Sequence, residues 1–298
     1  MIVGTGNVGA SIAFSLINQR TAVNELILTD INAADAEGEA MDLRDALAVA
    51  PSYIKISNGT YKDAKDCDIV VISAGIPQKP GETRMDLIRN NAKIFKPMVT
   101  EIMASGFDGI FIVVTNPMDV LTYLTWKFSG LPHERVIGSG TVLDSARLRQ
   151  RIASYLNVHP KSVHAYQVGE HGDTEFTLWS SADIGGQPVN TLLPAQALTD
   201  IEDFVRNEAY AIIAKKGSTH YGIGVCTVNI INCILNDEYR VLPVSSYDDR
   251  TDTYNGFPAV VGRRGIVRRL ELKLSEQEGI KFQKSANALR AAIRSLAE

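Results

Sequence analysis

The sequence predicts an α/β protein built on a largely parallel β-sheet. Short β-branched segments, such as CDIVVISAG and GIFIVVTNP, alternate with longer segments of helical periodicity, such as DLIRNNAKIFKPMVTEIMASG. The short segments are apolar throughout, which is typical of strands that helices cover on both faces. The alternation changes near Gly138, so we predict an N-terminal domain of residues 1–138 and a C-terminal domain of residues 139–298.

Composition limits the classes of function. A chain of 298 residues with 45% hydrophobic residues can bury a large core, and its net charge of −4 does not favour nucleic acid or an anionic membrane as a partner. No apolar run approaches the roughly 18 residues that cross a bilayer. The three cysteines fit neither a zinc motif nor a disulfide framework. We therefore expect reduced thiols, no leader before the first glycine-rich turn and a cytoplasmic location.

The first element is a short strand followed by a glycine-rich turn. Gly4, Gly6 and Gly9 form G-x-G-x-x-G in MIVGTGNVGASIAF, and Asp30 ends the later segment LILTD. Such glycines let a pyrophosphate approach the N–H groups of a helix N-terminus, and the acidic residue accepts hydrogen bonds from the adenine ribose. Asp30 would repel a 2′-phosphate, which favours NAD over NADP. A P-loop is excluded because no lysine follows Gly9; a glycine turn without a ligand is the alternative.

Polar residues follow the next strands. Gln78 and Arg84 lie in GIPQKPGETRMDLIRNN, whose prolines and glycine indicate a loop after IVVISAG. Asn116 ends the strand segment VVTNPMD. Parallel sheets bind ligands at the carboxyl ends of their strands, so both segments are candidates for a binding site. An ordinary exposed loop and an Asn-Pro turn are the alternatives.

Asp144 and Arg147 lie three residues apart in TVLDSARLR. This spacing places the two side chains on one face of a helix. A surface ion pair is the alternative to a site.

His171, in GEHGDT, has three possible roles: a solvated loop residue, a metal ligand or an acid–base catalyst. The other histidines show no metal-ligand spacing, so we predict no metal site. An acid–base role needs a carboxylate that holds the imidazole tautomer and raises its pKa toward neutrality. Asp144, Glu170 and Asp173 all qualify, and spacing does not choose among them.

The order of these motifs resembles the L-lactate and malate dehydrogenase family. GTGNVG, AGIPQKPGETR, TNPMDV, LDSARLR, GEHGDT and GSTHYG match its motifs at similar spacing over residues 1 to about 245. The resemblance implies an N-terminal Rossmann domain with a doubly wound parallel sheet, followed by an α/β substrate-binding domain. It also implies that NAD is held by Gly4, Gly6, Asn7, Val8, Gly9, Asp30, Gly75 and Asn116.

The resemblance further implies the catalytic roles. His171 is expected to donate and accept the proton, with Asp144 as its orienting partner. Arg147 is expected to bind the substrate carboxylate through two parallel hydrogen bonds, and Arg84 to polarise the substrate carbonyl. Asn116 and Thr219 are expected to complete the pocket.

The residue at position 78 distinguishes substrates within that family. Malate dehydrogenases carry arginine there to pair with a second carboxylate, whereas Gln78 and Thr219 resemble the lactate enzymes. The segment YDDRTDTYNGFPAVVGRRGI departs from the pattern and resembles branched-chain 2-hydroxyacid dehydrogenases. We therefore predict an L-lactate dehydrogenase. The alternatives are a dehydrogenase for branched L-2-hydroxy acids, a malate dehydrogenase and a dinucleotide-binding protein without turnover.

Arg149 and His164 flank the catalytic motifs, and solvated side chains are one interpretation of them. The resemblance implies another, because bacterial members place an effector site at these two positions. There, clustered positive charge across a symmetry axis binds the phosphates of fructose 1,6-bisphosphate. We therefore expect an allosteric homotetramer that serves glycolytic fermentation.

Overall fold

The N-terminal half of the chain alternates strands with helices. The computed structural model describes residues 1–77 and 81–296, with Arg84 described by its backbone alone. The strands are β1 (Ile2–Val3), β2 (Glu25–Thr29), β3 (Lys55–Asn58), β4 (Ile69–Ile72), β5 (Ile110–Val113) and β6 (Val136–Gly138). The helices between them are α1 (Asn7–Asn18), α2 (Ala33–Ala46), α3 (Arg84–Ala104) and α4 (Met118–Ser129).

The C-terminal half mixes helices with short antiparallel strands. Its helices are α5 (Val142–Leu156), α6 (Val189–Leu192), α7 (Ala195–Lys216), α8 (Tyr221–Leu235) and α9 (Glu276–Arg294). Its strands are β7 (Val163–His164), β8 (Gln167–Val168), β9 (Phe176–Thr177), β10 (Asp183–Ile184), β11 (Gln187–Pro188), β12 (Arg240–Leu242), β13 (Ser245–Asp248), β14 (Thr253–Gly256), β15 (Ala259–Gly262) and β16 (Gly265–Arg269). The predicted α/β class is confirmed.

The main sheet has the strand order β14-β13-β6-β5-β4-β1-β2-β3, and β1 to β6 pair in parallel. The order 3-2-1-4-5-6 within it is that of a doubly wound sheet, as predicted. The chain reverses direction across the sheet between β1 and β4, so a crevice forms beyond their carboxyl ends. A ligand of such a sheet binds in that crevice.

Helices cover both faces of the sheet, which explains the uninterrupted apolar strands. Along β5, Phe111 and Val113 enter one core, which α3 and α4 close, while Ile110 and Ile112 enter the other. Helices α1 and α8 close the second core, and the buried residues of α8 belong to it. One helix of the C-terminal half therefore packs on the sheet of the N-terminal half.

The hairpin β13–β14 also crosses between the halves. Ser245 of β13 pairs with Gly138 of β6, and β13 runs antiparallel to both β6 and β14, so β14 has the same direction as β1 to β6. The domain boundary that we propose at Gly138 thus marks the end of the parallel strands, not the end of the sheet. Among the described residues, none of the helices combines the length and the apolar character needed to cross a membrane.

Candidate active site

The glycine-rich turn lies between β1 and α1, at the crevice. Gly4 has φ of 94°, and a Cβ there would collide with the backbone of Ala74, while a Cβ on Gly9 would overlap the carbonyl oxygen of Gly4. Gly6 has no neighbouring atom within 4 Å of an added Cβ, and no side chain caps the start of α1. The first N–H groups of α1, which begin at Asn7 and Val8, are therefore accessible to an anionic group such as a pyrophosphate.

Asp30 follows β2 directly and lies beside the turn. Its carboxylate accepts hydrogen bonds from the backbone N–H of Thr5 at 2.7 Å and of Asn32 at 3.1 Å. Two backbone donors fix the carboxylate, and the side chain is only half-buried. The donor set fits a dinucleotide: backbone N–H groups for phosphate and a fixed carboxylate for ribose hydroxyls.

Two further predicted residues, Gly75 and Asn116, follow β4 and β5. A Cβ on Gly75 would overlap the methyl group of Thr115, so the strand ends pack closely. Asn91 of α3 ties them together: its side-chain amide donates to the carbonyl oxygens of Ile76 and Asn116, both at 3.2 Å, and accepts from the Ile76 N–H at 2.9 Å.

Asn91 was missed by the sequence analysis, although the sequence carries a signal for it. It is fully buried and lies between Ile88 and Phe95 on the apolar face of α3. A polar residue on the buried face of a helix needs hydrogen-bond partners, and its partners here are the two strand ends.

Three of the predicted site residues, Asp144, Arg147 and His171, meet at the start of α5. Asp144, in the first turn, has a side chain that is 3% exposed. One of its oxygens lies 2.7 Å from Nδ1 of His171, and the other accepts from Nη1 of Arg147 at 3.0 Å. Of the three carboxylates that spacing left open, Asp144, which the resemblance implied, is the one that lies within hydrogen-bond distance of the ring. Asp173 instead accepts a hydrogen bond from the Tyr210 hydroxyl, and Glu170 accepts one from Thr174.

The charges around His171 favour the imidazolium. Burial lowers the pKa of His171, but the charge and hydrogen bond of Asp144, with further charge from Glu175 and Asp119, raise it to about 9. Burial acts against ionisation of Asp144, yet His171 and Arg147 hold the pKa of that carboxyl below its ordinary value. At neutral pH the two residues form an ion pair. The ionisation lies higher than the neutrality expected from the sequence because several carboxyl groups surround one ring.

Glu175 is a third buried carboxyl group in this cluster, and the sequence analysis missed it. Burial and the charge of Asp144 raise its pKa well above the ordinary value. Its ligand atoms and those of Asp144 and His171 lie within 4.8 Å of one another. Glu175 accepts a hydrogen bond from Gln167 at 3.3 Å, and Asp144 has two partners of its own. We interpret the cluster as a hydrogen-bond network; the expectation of no metal stays a prediction.

The segment that carries His171 is held from several sides. The Gly169 N–H donates to the Gly256 carbonyl at 2.8 Å, which ties the segment to β14. The Glu170 N–H donates to the Ser285 hydroxyl of α9 at 2.6 Å. These bonds fix the backbone that leads into the catalytic residue.

The remaining predicted residues are Thr219, Gln78 and Arg84. Thr219 is half-buried between α7 and α8, and its neighbour Ser218 accepts a hydrogen bond from the Asn7 side chain at 3.3 Å. The segment between α7 and α8, which carries Thr219, therefore contacts the start of α1 beside the glycine-rich turn. Gln78 lies outside the described residues, and Arg84 is the first residue of α3, after the capping box of Thr83 and Asp86.

The two predicted effector residues lie on neighbouring elements. Arg149 is half-buried on α5, where its Nε donates to the Ser145 carbonyl at 3.3 Å. His164 is exposed on β7, which packs against α5.

Comparison with protein families gives two matches. The model described as "lactate/malate dehydrogenase, NAD binding domain" matches residues 1–138, and that described as "lactate/malate dehydrogenase, alpha/beta C-terminal domain" matches residues 141–298. Among curated proteins, L-lactate dehydrogenase 1 of Bacillus cereus is 52% identical over 98% of this chain and 96% of its own length. L-lactate dehydrogenase 2 of Bacillus anthracis is 53% identical over the same shares.

Solved structures show the same likeness. A lactate dehydrogenase from a deep-sea metagenome library of the Medee basin superposes with a TM-score of 0.97 at 46% identity, covering 100% of this chain and 98% of its own. The ligand-bound minor L-lactate dehydrogenase of Enterococcus mundtii gives 0.96 at 46% identity, covering 99% and 97%. The ligand-unbound form of the latter gives 0.91 at 45% identity, covering 99% and 96%.

Proposed function

The chain belongs to the lactate/malate dehydrogenase family and is an NAD-dependent L-lactate dehydrogenase, and we propose that His171, Asp144 and Arg147 perform its chemistry. The observation that carries this proposal is the single buried carboxylate of Asp144, which lies 2.7 Å from the imidazole and 3.0 Å from the guanidinium. One side chain thereby sets the distance between a proton donor and a carboxylate-binding cation.

His171 is the acid–base residue. Its Nδ1 is engaged by Asp144, and its side chain is 26% exposed, so Nε2 is left to face a substrate. In pyruvate reduction the imidazolium donates its proton to the carbonyl oxygen, and Asp144 keeps the imidazolium charged until then. In lactate oxidation the neutral ring accepts the hydroxyl proton.

Arg147 orients the substrate. Among the described residues, its side chain makes one hydrogen bond, from Nη1 to Asp144. Its other N–H groups can bind a carboxylate through two parallel hydrogen bonds, which a lysine could not do. Arg84 and Asn116 complete this role in the proposal, Arg84 by polarising the carbonyl from the start of α3 and Asn116 from the end of β5.

The cofactor site follows from the crevice. The N–H groups at the start of α1, with Gly4, Gly6 and Gly9, would hold the pyrophosphate of NAD. Asp30 would hold the adenine ribose, and Gly75 and Asn116 would contribute to the rest of the cofactor site. When bound, NAD takes up or supplies the hydride. Because the Asn7 side chain contacts Ser218, that site lies beside Thr219, the neighbouring residue that we expect to bind the substrate.

The substrate is a small 2-oxo or 2-hydroxy monocarboxylate. Gln78 and Thr219 support this choice, since neither offers a cation for a second substrate carboxylate. We propose pyruvate and (S)-lactate over branched 2-oxo acids and over oxaloacetate.

The test is NADH oxidation, followed by absorbance, with pyruvate, 2-oxoisocaproate and oxaloacetate in parallel. We expect the highest kcat/KM with pyruvate. His171→Asn should lower it by about 10²–10⁴ because general acid catalysis is lost. NADH binding, measured by fluorescence, should survive in that variant and is its control. Undiminished turnover of His171→Asn, or a preference for oxaloacetate, would contradict the proposal.

The assembly is part of the proposal as well. Phe14, Tyr221 and Val225 are exposed apolar side chains that line one groove between α1 and α8, which supports a contact between subunits. We propose a homotetramer in the cytoplasm, where the three unpaired cysteines remain reduced.

Fructose 1,6-bisphosphate is the proposed effector of this tetramer. Helix α5 carries Asp144, Arg147 and Arg149 together. An anion that binds Arg149 can therefore shift the helix that positions the catalytic carboxylate.

Titration of the sugar bisphosphate should lower the pyruvate KM. Arg149→Gln should remove the response, and inorganic phosphate is the matched control ligand. An unchanged saturation curve, in a confirmed tetramer, would exclude the effector and leave the catalytic proposal intact.

A further inference from the structure

A series of hydrogen bonds connects the last residue of α7 with the first residue of α1. Nζ of Lys216 lies 3.2 Å from Nε2 of His220, and Nδ1 of the same ring lies 2.9 Å from the Ser218 hydroxyl. The side-chain amide of Asn7 donates to that hydroxyl at 3.3 Å. The chemistry proposed above uses none of these side chains, although the series ends at the glycine-rich turn.

Lys216 determines which nitrogen of His220 carries the proton. An ammonium group has three donors and no acceptor, so Nε2 must accept the hydrogen bond from Lys216. Partial burial and the charge of Lys216 lower the pKa of His220 below its ordinary value, so the ring is neutral at neutral pH. The Tyr221 ring packs against both groups, with its centroid 4.0 Å from Nζ of Lys216 and 4.3 Å from the imidazole centroid. The neutral ring therefore carries its proton on Nδ1 and donates it to Ser218.

The Ser218 hydroxyl is left with its own proton to donate. Its oxygen accepts from Nδ1 of His220 and from the Asn7 amide, and a hydroxyl oxygen has two lone pairs. Among the described residues, no acceptor lies within hydrogen-bond distance of this hydroxyl for its proton. Ser218 is half-buried and lies beside Asn7, where the accessible N–H groups of α1 begin. A spare donor thus lies next to the groups that we assign to the pyrophosphate.

We propose that the Ser218 hydroxyl binds the pyrophosphate of the dinucleotide, and that His220 and Lys216 are positioning residues that keep its proton available. This rests on the proposed cofactor site at the start of α1. Donors from two parts of the chain then serve one anion: the backbone N–H groups of α1 and a hydroxyl from the segment between α7 and α8. Without Lys216, the ring could carry its proton on Nε2, and Ser218 would donate to Nδ1 instead.

The first test is binding of NADH, ADP-ribose and AMP to the full chain, measured by titration calorimetry. ADP-ribose keeps the pyrophosphate and lacks the nicotinamide, whereas AMP lacks the pyrophosphate. Ser218→Ala should raise the Kd of NADH and of ADP-ribose alike, by about 3–10-fold, because one hydrogen bond to a half-buried group is lost. The Kd of AMP should change by less than about 1.5-fold, because that ligand lacks the bond. Ser218→Thr keeps a hydroxyl and should bind all three as the unchanged chain does.

Two results of this test would overturn the proposal. Unchanged Kd values in Ser218→Ala would show that the hydroxyl does not touch the dinucleotide. A weaker NADH complex with an unchanged ADP-ribose complex would place the hydroxyl on the nicotinamide half. If the unchanged chain binds neither NADH nor ADP-ribose, the proposed cofactor site itself is refuted.

The second test separates the positioning role of Lys216 from its charge. Lys216→Met removes the ammonium group and keeps an unbranched side chain against Tyr221. Nitrogen NMR of the imidazole, assigned with His220→Gln, should show the proton on Nδ1 in the unchanged chain and partly on Nε2 in Lys216→Met. The Kd of ADP-ribose should rise by about 2–3-fold in the same variant.

The matched control is Lys215→Met, which removes the same charge from an exposed neighbour on α7. It should leave the imidazole proton on Nδ1 and change the Kd by less than about 1.5-fold, because solvent and salt screen the charge. Sedimentation checks that both variants keep the oligomeric state of the unchanged chain. A proton on Nε2 in the unchanged chain, or equal effects of the two lysine variants, would overturn the positioning roles.

Discussion

Two buried carboxylates, Asp144 and Asp248, each lie against two cations, yet they serve different ends. Asp144 meets His171 and Arg147 at 2.7 and 3.0 Å. Asp248, at the end of β13, meets Arg250 at 3.0 Å and Arg269 at 3.6 Å. Both carboxylates are 3% exposed, so burial does not distinguish them.

The cations differ in what else they bind. Arg269 donates from Nη1 to the carbonyl and hydroxyl oxygens of Ser246, both at 2.7 Å, and from Nη2 to the Asn255 side chain at 2.8 Å. Arg147 has its one described hydrogen bond, to Asp144. Arg269 thus uses both of its terminal nitrogens within the protein, whereas Arg147 uses one and leaves the other available to a ligand.

The two clusters also differ in whether they can exchange a proton. Burial lowers the pKa of Arg269 to about 10 despite the charge of Asp248, so that guanidinium stays charged at neutral pH. In the Asp144 cluster the titratable cation is an imidazole with a pKa of about 9, which can change its protonation state in the working range of an enzyme. Both carboxylates are buried between cations, and the histidine gives one of the two clusters a proton that it can exchange, as the proposed catalytic role requires.

Asp144→Asn should have the largest effect on catalysis. The amide cannot stabilise the imidazolium, so pyruvate reduction should slow by about 10²–10⁴ at neutral pH, and the pKa of His171 should fall from about 9. NADH binding should be retained, because Asp30 and the glycine-rich turn are untouched. Steady-state rates over a range of pH, with NADH fluorescence as the control, check this. Turnover equal to that of the unchanged enzyme would show that Asp144 is not the catalytic partner of His171.

The sequence predicted the parallel strands better than the hairpin that extends them. Strand β5 is apolar throughout, and a short apolar run between helical segments is typical of a strand buried on both faces. The strands of the hairpin β13–β14 have the sequences SSYD and TYNG. Their buried polar residues form hydrogen bonds with partners remote in sequence, such as Ser245 with Asp119 and Asn255 with Arg269. No local pattern reveals that such residues are buried.

The same limit applies to the site. The residue types and their motifs indicated His171, but the choice of Asp144 over Glu170 and Asp173 depends on where α5 lies in space. Asp119 contacts His171 by accepting a hydrogen bond from its backbone N–H. Every residue except proline has this donor, so the sequence carries no signal for the contact. The assignment of Gln78 as the substrate-reading residue stays a prediction.

Arg269→Met tests the other half of the comparison and should have the smaller effect on turnover. It leaves Asp248 buried with one partner and removes the donors to Ser246 and Asn255, so we expect a loss of about 3 kcal/mol in the free energy of unfolding.

The control is Arg250→Ala, which removes the other cation of the same carboxylate. Arg250 is 70% exposed, so its loss should cost at most about 1 kcal/mol. Urea unfolding at equal protein concentration, with kcat measured on the folded enzyme, gives both quantities. The comparison predicts that Arg269→Met loses stability and keeps its turnover, whereas Asp144→Asn loses turnover. Equal losses of stability for Arg269→Met and Arg250→Ala would mean that the internal hydrogen bonds of Arg269 contribute nothing, and the distinction between an internally bonded and an available cation would fail.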